Sequence, residues 1–262
     1  MAFPRFLAVG DLMLDVVVCG RGHEARARVA PGGSAAIAAA WAARAGAEAT
    51  VIGRAGDDLA GRALREAIER AGVRPQISVD GEAPTGTFVL VEGEIYASRG
   101  ANARLLPECL PKRLRADAVL VSGYLPSETV SAALARSEAE WIALSPGPLL
   151  DLPQGGNALL VDEEEARRLT GAGPVQAARS LGQRFRLAAV TRGSLGAVAV
   201  LDGHLREQAG SGRASAFPVG AGDAFAAGLL VALARGDPLG DALDLACRLG
   251  EAASTSGSWP PG

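Results

Sequence analysis

Lysine is almost absent: Lys112 is the only one among the 26 basic residues, and it stands between Pro111 and Arg113 in a loop-like context. A G-x-x-x-x-G-K-[ST] phosphate loop is therefore excluded, and so is the lysine that a protein kinase carries on its third strand. Histidine is scarce as well. His23 and His204 lie in polar, turn-like surroundings and read as surface residues. The three cysteines, Cys19, Cys109 and Cys247, are far apart and odd in number, so they read as reduced thiols with no zinc spacing. Aromatics make up only 4% of the chain and the net charge is -3, which leaves no base-stacking platform and no basic face for nucleic acid. Apolar runs such as Leu229–Ala234 fall well short of the roughly 20 residues that span a bilayer. The N-terminus leads straight into a strand-like segment with no secretory pattern. A cytoplasmic protein with no membrane partner is expected.

The rest is rich in apolar residues, 48% of 262, enough for a large core. Phe6 to Cys19 reads as one buried strand interrupted by Gly10, Asp11 and Asp15. Gly20 to Ala30 is a short charged connection, and Ser34 is placed to cap an alanine-rich helix that runs to about Ala45. A strand at Ala49–Ile52 and a helix at Leu59–Arg70 follow. Thr85–Val91 and Glu94–Ser98 flank Glu92-Gly93 as an antiparallel hairpin. Alternation then resumes with strands at Ala118–Val121, Trp141–Leu144, Ala158–Val161 and Leu187–Thr191, interleaved with helices at Glu128–Arg136, Glu163–Leu169 and Val175–Leu181. A hairpin-like pair, Gly196–Leu201 with His204–Glu207, precedes a last helix from about Ala221. Alternating strands and helices imply a mostly parallel sheet covered on both faces.

Several segments carry chemistry. In Val219-Gly220-Ala221-Gly222-Asp223, two glycines around a small residue let the chain turn tightly into a helix. Unpaired N–H groups at that helix start favour an anion, and Asp223 is placed to take a proton from an attacking hydroxyl. An ordinary glycine-rich turn with an acidic first helical turn accounts for the same residues. Pro31-Gly32-Gly33-Ser34 permits close approach of a ligand, or is a plain strand-to-helix turn. Asp11 and Asp15 share a face if the strand is continuous, and they suit sugar hydroxyls. Asp162-Glu163-Glu164-Glu165 opens a helix, and Thr191-Arg192-Gly193-Ser194-Leu195-Gly196 follows a strand.

In this order and spacing, these segments resemble the ribokinase-like (PfkB) carbohydrate kinase family over nearly the whole chain. The family's first signature resembles Gly32-Gly33 through Gly53-Arg54-Ala55-Gly56-Asp57-Asp58 and Gly61, and its second resembles Gly220-Ala221-Gly222-Asp223. The resemblance implies one three-layer α/β/α domain over 1–262. A small, reduced β lid would come from segments near 16–29 and 85–99. It implies an ATP-dependent kinase that phosphorylates a hydroxyl of a small sugar-like molecule, with magnesium, and a homodimer formed through the lid. By position, Asp223 is the base and Gly220, Ala221 and Gly222 form the anion hole. Asp11, Asp15, Gly32, Gly33 and Asn102 border the acceptor, and Asp162, Thr191, Gly193 and Gly196 the nucleotide. Glu165 meets magnesium through water.

The chain departs from the family at three points. Where relatives place Asn four positions beyond the second glycine of the first signature, Ile37 stands. An apolar residue there keeps a nucleoside or a pyridoxal-like vitamin open as acceptor, and a non-catalytic metabolite-binding member as a further alternative. Asp162 replaces the Asn of the family's N-x-x-E motif. A dehydrogenase is the remaining rival, because Gly20-Arg21-Gly22-His23-Glu24-Ala25 matches G-x-G-x-x-A. Pro31-Gly32-Gly33 interrupts that segment before any helix can follow the loop.

The third departure yields a prediction. Potassium-dependent relatives use oxygen ligands near the position that Phe217 occupies, and a phenyl ring supplies none; Pro218 holds the backbone there without an ion. Turnover at equal ionic strength is expected to be the same in sodium, tetramethylammonium and potassium. A many-fold stimulation by potassium would refute this.

Overall fold

The first strand, β1 (Arg5–Val9), shows how the layers arise: Phe6 and Ala8 enter one hydrophobic core, Leu7 and Val9 the other. Both faces are covered, so the strand is apolar throughout instead of alternating with polar residues. This is a computed structural model, and it describes residues 3–149, 151–212 and 219–260. Phe217 and Pro218, on which the cation expectation rests, lie outside the described residues, as do the ends of the expected 1–262 domain.

After β1 come β2 (Met13–Cys19), β3 (Arg26–Gly32), α1 (Ser34–Arg44), β4 (Glu48–Gly56), α2 (Leu59–Arg70) and β5 (Arg74–Asp80). The hairpin of β6 (Gly86–Val91) and β7 (Glu94–Ser98) follows, then β8 (Leu114–Arg115), β9 (Ala118–Ser122), α3 (Ser127–Arg136), β10 (Ser137–Glu138) and β11 (Trp141–Ser145). The remainder is β12 (Ala158–Asp162), α4 (Glu163–Thr170), α5 (Pro174–Leu181), β13 (Leu187–Thr191), β14 (Gly196–Leu201), β15 (His204–Ala209), α6 (Ala221–Ala234) and α7 (Leu239–Ser256).

The large sheet has nine strands in the order β15-β14-β13-β12-β11-β9-β1-β4-β5. It is parallel except where β14 and β15 return antiparallel at one edge. One face buries side chains of α1, α2, α6 and α7, the other those of α3, α4 and α5. This is the three-layer α/β/α architecture. Residues 224–233 of α6 are buried without a break, as in a helix enclosed on all sides. The alanines of α1 let that helix approach closely. Among the described residues no helix is long and apolar enough to cross a membrane.

A second sheet has four strands in the order β3-β2-β6-β7. Here the sequence expectation needs correction. The run from Phe6 to Cys19 is not one strand, because β1 pairs with β4 and β9 in the large sheet whereas β2 pairs with β3 and β6 in the small one. The chain leaves one sheet at Gly10-Asp11-Leu12 and enters the other. Hydropathy could not reveal this, since both pieces are apolar. Within the stretch expected as a short charged connection, β3 begins, pairing along the whole of β2. Besides the two-residue pair β8 and β10, two longer elements were not foreseen. The strand β5 is polar, contains Pro75 and lies at the sheet edge, where proline is tolerated. The helix α7 carries Gly240 and Gly250, which blur its apolar period.

Two polar devices fix the junction between the sheets. Asn102, 1% exposed, receives the N–H of Leu12 at 2.9 Å and donates to the Leu12 carbonyl at 2.8 Å. Asp58 caps α2 through the N–H of Gly61 at 2.7 Å and also accepts from the N–H and hydroxyl of Thr85, just before β6. The first device makes a stability prediction. Asn102→Ala would leave a buried donor and acceptor of Leu12 unpaired, at about 1–3 kcal/mol each. The thermal midpoint is expected to fall by roughly 5–10 °C. A midpoint within about 1 °C of the parent would show that the clamp contributes nothing.

Candidate active site

In a parallel sheet the strands deliver their C-terminal ends to one edge, and ligands gather there. Four strands of this sheet are apolar until a final polar residue: Ser122 on β9, Ser145 on β11, Asp162 on β12 and Thr191 on β13. Ser145, Asp162 and Thr191 line a cavity of about 580 Å³, which the small sheet borders on another side. That volume falls within the usual range for a small-molecule site.

Helix α6 points its N-terminus into this cavity. The chain turns into it at Gly220 with φ of 82°, where a Cβ would come within 2.7 Å of Ser258. Only glycine fits such a turn comfortably. The first-turn N–H groups of Ala221, Gly222 and Asp223 lack intrahelical partners by geometry, so they and the helix dipole favour an anion. Gly220, Gly222 and Asp223 line the cavity, and Ala221 sits between them.

Asp223 shares the cavity with Asp11, Asp15, Asp162 and Glu165. Burial, then the charges of Asp11, Asp15 and Glu165, push its carboxyl up to about 8, against a hydrogen bond from the Ser34 side chain that lowers it. Asp15 rises to about 7 through burial and the charge of Asp11. Glu165 also rises to about 7, mainly through burial. Asp11 is raised by burial, although the Ser34 N–H at 3.2 Å and the Ser122 hydroxyl at 3.0 Å both donate to it. Among the described residues Arg99 is the sole cation lining the cavity.

The structure brings Asp11, Asp15, Gly33, Asn102, Asp162, Glu165 and Thr191 to the cavity wall, together with the α6 residues. Gly32 lies behind it and makes room for Asp15, because a Cβ there would sit 1.9 Å from the carboxylate. Gly193 and Gly196 are not brought to the wall. The second packs edge-on against Gln208 and Gly210. Asp11 and Asp15 meet because the chain passes between sheets at that point, not because they share a strand face. Ser34 does not cap α1. Gly33 occupies the cap position, and a distant carboxylate, Asp11, takes the Ser34 N–H instead. Asp162 and Glu165 form a reciprocal capping box, each side chain accepting the other's backbone N–H, at 2.7 and 3.0 Å. That local role explains the pair on its own and still leaves Glu165 facing the cavity.

Sequence reading missed Ser34 and Ser122 as partners of the acids, and Tyr124 and Phe88 as wall residues. A polar residue closing each apolar strand was the available signal for Ser122. Nothing local marked the two aromatic residues.

Residues 4–258 match the family model described as pfkB family carbohydrate kinase. The chain is 32% identical to the ribokinase of Bacillus subtilis (strain 168) over 241 residues, covering 83% of this chain and 79% of that protein. Among solved structures, a ribokinase from Thermotoga maritima superposes with a TM-score of 0.86 at 21% identity, covering 98% of this chain and 96% of that one. An adenosine kinase from Sinorhizobium meliloti superposes with a TM-score of 0.83 at 21% identity, covering 100% and 97%.

The raised carboxyls give the protein's stability a pH trend. A carboxyl whose folded pKa lies above its unfolded value binds more protons when folded, so its contribution to stability falls as pH rises from the unfolded to the folded value. For Asp223 that window runs from about 4 to about 8. The unliganded protein is expected to melt at lower temperature at pH 8.5 than at pH 5.5. Asp223→Asn is expected to recover part of the loss at pH 8.5. Melting curves that show no gain for the variant at the higher pH would contradict a buried, raised Asp223.

Proposed function

We propose, since the chain belongs to the pfkB family of carbohydrate kinases, that Asp223 is the base through which it phosphorylates a hydroxyl of a small, sugar-like acceptor. The chain is an ATP-dependent phosphotransferase with a hydroxyl acceptor. The observation that carries the assignment of the base is the placement of one raised carboxyl in the first turn of a helix whose free N–H groups face the same cavity.

In this reading the acceptor lies against Asp15 and Asp11, whose oxygens accept from its hydroxyls, with Gly33 and the Asn102-held loop shaping the wall. Asp223 takes the proton of the reacting hydroxyl as its oxygen bonds to the γ-phosphorus, and the bond from that phosphorus to the bridging oxygen breaks to leave ADP. The N–H groups after Gly220 stabilise charge on the transferring phosphoryl group. A pKa near 8 suits a group that must gain and lose a proton near neutral pH. Thr191, and beyond it Gly193 and Gly196, stand on the nucleotide's side.

Magnesium fits the residues present. Among the described residues no cluster of three or more His, Cys, Asp or Glu side chains forms a dedicated metal site. Magnesium needs none, since it keeps several waters and is held by one or two carboxylates together with phosphate. Glu165, pushed up to about 7 and facing the cavity, is a carboxylate that a hydrated cation would favour in its charged form. The cation would neutralise the triphosphate during transfer. The small sheet acts as the lid of this site. A second copy of the chain, laid on the outward row of Val29 and Tyr96, completes the reading of its partners; both side chains are largely exposed.

Asp223→Asn is expected to lower kcat by about 10²–10⁴ and to leave nucleotide affinity nearly unchanged. Steady-state rates together with a nucleotide titration of the purified variant decide this. Turnover within about threefold of the parent would remove Asp223 from the role of base.

A further inference from the structure

The small sheet's inner face has a composition that a free sugar does not explain. Residues in register on neighbouring strands share a face, and here Asp15 pairs with Phe88, and Phe88 with Ala97. Two residues along, Met13 and Ile95 lie on the same face. Asp15, Phe88, Ala97, Met13 and Ile95 all line the cavity, so this part of the face looks into the site. Asp15 is the one polar residue of the five, Arg99 lines the cavity just beyond β7, and Arg28, in register with Val17, lies farther along the same face. Ile95 is nevertheless 63% exposed. With Met13, Phe88 and Ala97 it makes a contiguous apolar patch bordering the cavity, and such patches mark ligand-binding grooves.

Distances follow from the sheet itself. Adjacent strands lie about 4.8 Å apart, so Phe88 stands about 5 Å, and Ala97 about 10 Å, sideways from Asp15. A monosaccharide gripped by Asp15 and Asp11 would reach the first of these and not the second. Elsewhere on the wall, Ile37 of α1 presents carbon to the site. Its Cδ1 lies 3.2 Å from where a Cβ on Gly220 would stand, so it borders the start of α6. Tyr124 adds a half-exposed ring at the end of β9. On the small sheet the acceptor's hydroxyls thus meet Asp15, and from Phe88 a strip of apolar surface leads away along β6 and β7, with Arg99 just beyond β7.

We infer that the acceptor is a riboside-type molecule, a polyol ring carrying a flat heterocycle, with its hydroxyls at Asp11 and Asp15 and its heterocycle laid on Phe88, Ala97 and Ile95. The inference rests on the kinase reading above and narrows its acceptor. Phe88 is the specificity-determining residue. Its ring faces a π-system, and a stacked base loses about ten- to a hundredfold in affinity when its aromatic partner is cut back to alanine.

The test is phosphoryl transfer from magnesium ATP to adenosine, uridine, D-ribose and D-fructose, followed as ADP formation, in the parent protein and in Phe88→Ala, Phe88→Tyr and Ile95→Ser. At least one nucleoside is expected to exceed both free sugars by tenfold or more in kcat/KM. Phe88→Ala is expected to raise that nucleoside's KM by about ten- to a hundredfold with kcat little changed, and Phe88→Tyr to restore it. Ile95→Ser is expected to raise the same KM by a smaller factor, and both changes should raise a free sugar's KM by less than the nucleoside's. Preference for ribose or fructose would overturn the inference and leave the kinase reading standing, as would a nucleoside KM indifferent to Phe88→Ala in a variant that melts like the parent. No ADP formation with any of the four would overturn both.

Discussion

Several carboxylates share one small cavity, and much of the architecture around it serves to make that tolerable. Asp11, Asp15, Glu165 and Asp223 each sit where burial works against their charge, and the charges of Asp11, Asp15 and Glu165 add to the cost at Asp223. Isolated buried charges of one sign are costly, so each must find donors or hold a proton. Asp11 has the Ser34 N–H and the Ser122 hydroxyl, and Asp223 has the Ser34 side chain and the positive end of α6. Arg99 supplies the one cationic side chain on the wall among the described residues. What remains unbalanced suits ligands that bring hydroxyl donors and a metal cation.

This constraint explains why the acids come from different elements. Asp11 belongs to the turn out of the large sheet, Asp15 to the small sheet, Glu165 to α4 and Asp223 to α6. A cluster assembled from four places can form only if the elements are held in fixed relation. Much of the signature chemistry does that holding. Asn102 clamps both backbone groups of Leu12, between Asp11 and Met13. Asp58, one residue of the glycine-rich signature, caps α2 and ties the approach to β6 through Thr85. Through these bonds the residues hold in place the elements that carry the acids.

The two faces of the small sheet divide its work. The inner face carries Asp15 and an apolar strip toward the cavity, and the outer face carries the Val16, Val29, Val89 and Tyr96 row in register. Because the side-chain period of a strand is two, a shift of one residue would exchange the rows and carry Asp15 out of the site. The long antiparallel pairing of β2 with β3, from Met13–Gly32 to Cys19–Arg26, fixes that register. Gly32 contributes by leaving its side of the pair empty for the Asp15 carboxylate.

Local physics made a large part of this legible from residues alone. The alternation of apolar strands with amphipathic helices specified a covered, mostly parallel sheet, and Leu59–Arg70 and Leu187–Thr191 fall where their patterns placed them. The glycines around Ala221 and the acid after them marked a helix start suited to an anion, because the unpaired N–H groups of a first turn follow from helix geometry itself. Tertiary structure alone decided where the apolar run from Phe6 to Cys19 divides, since hydropathy is the same on both sides of Gly10-Asp11-Leu12 and only pairing partners distinguish the sheets. It also decided that Asp11, and no residue of its own helix, receives the Ser34 N–H, that Asn102 is spent on Leu12, and that Phe88 and Tyr124 face the cavity. These outcomes depend on contacts between residues tens to more than a hundred positions apart, and no local pattern encodes such contacts.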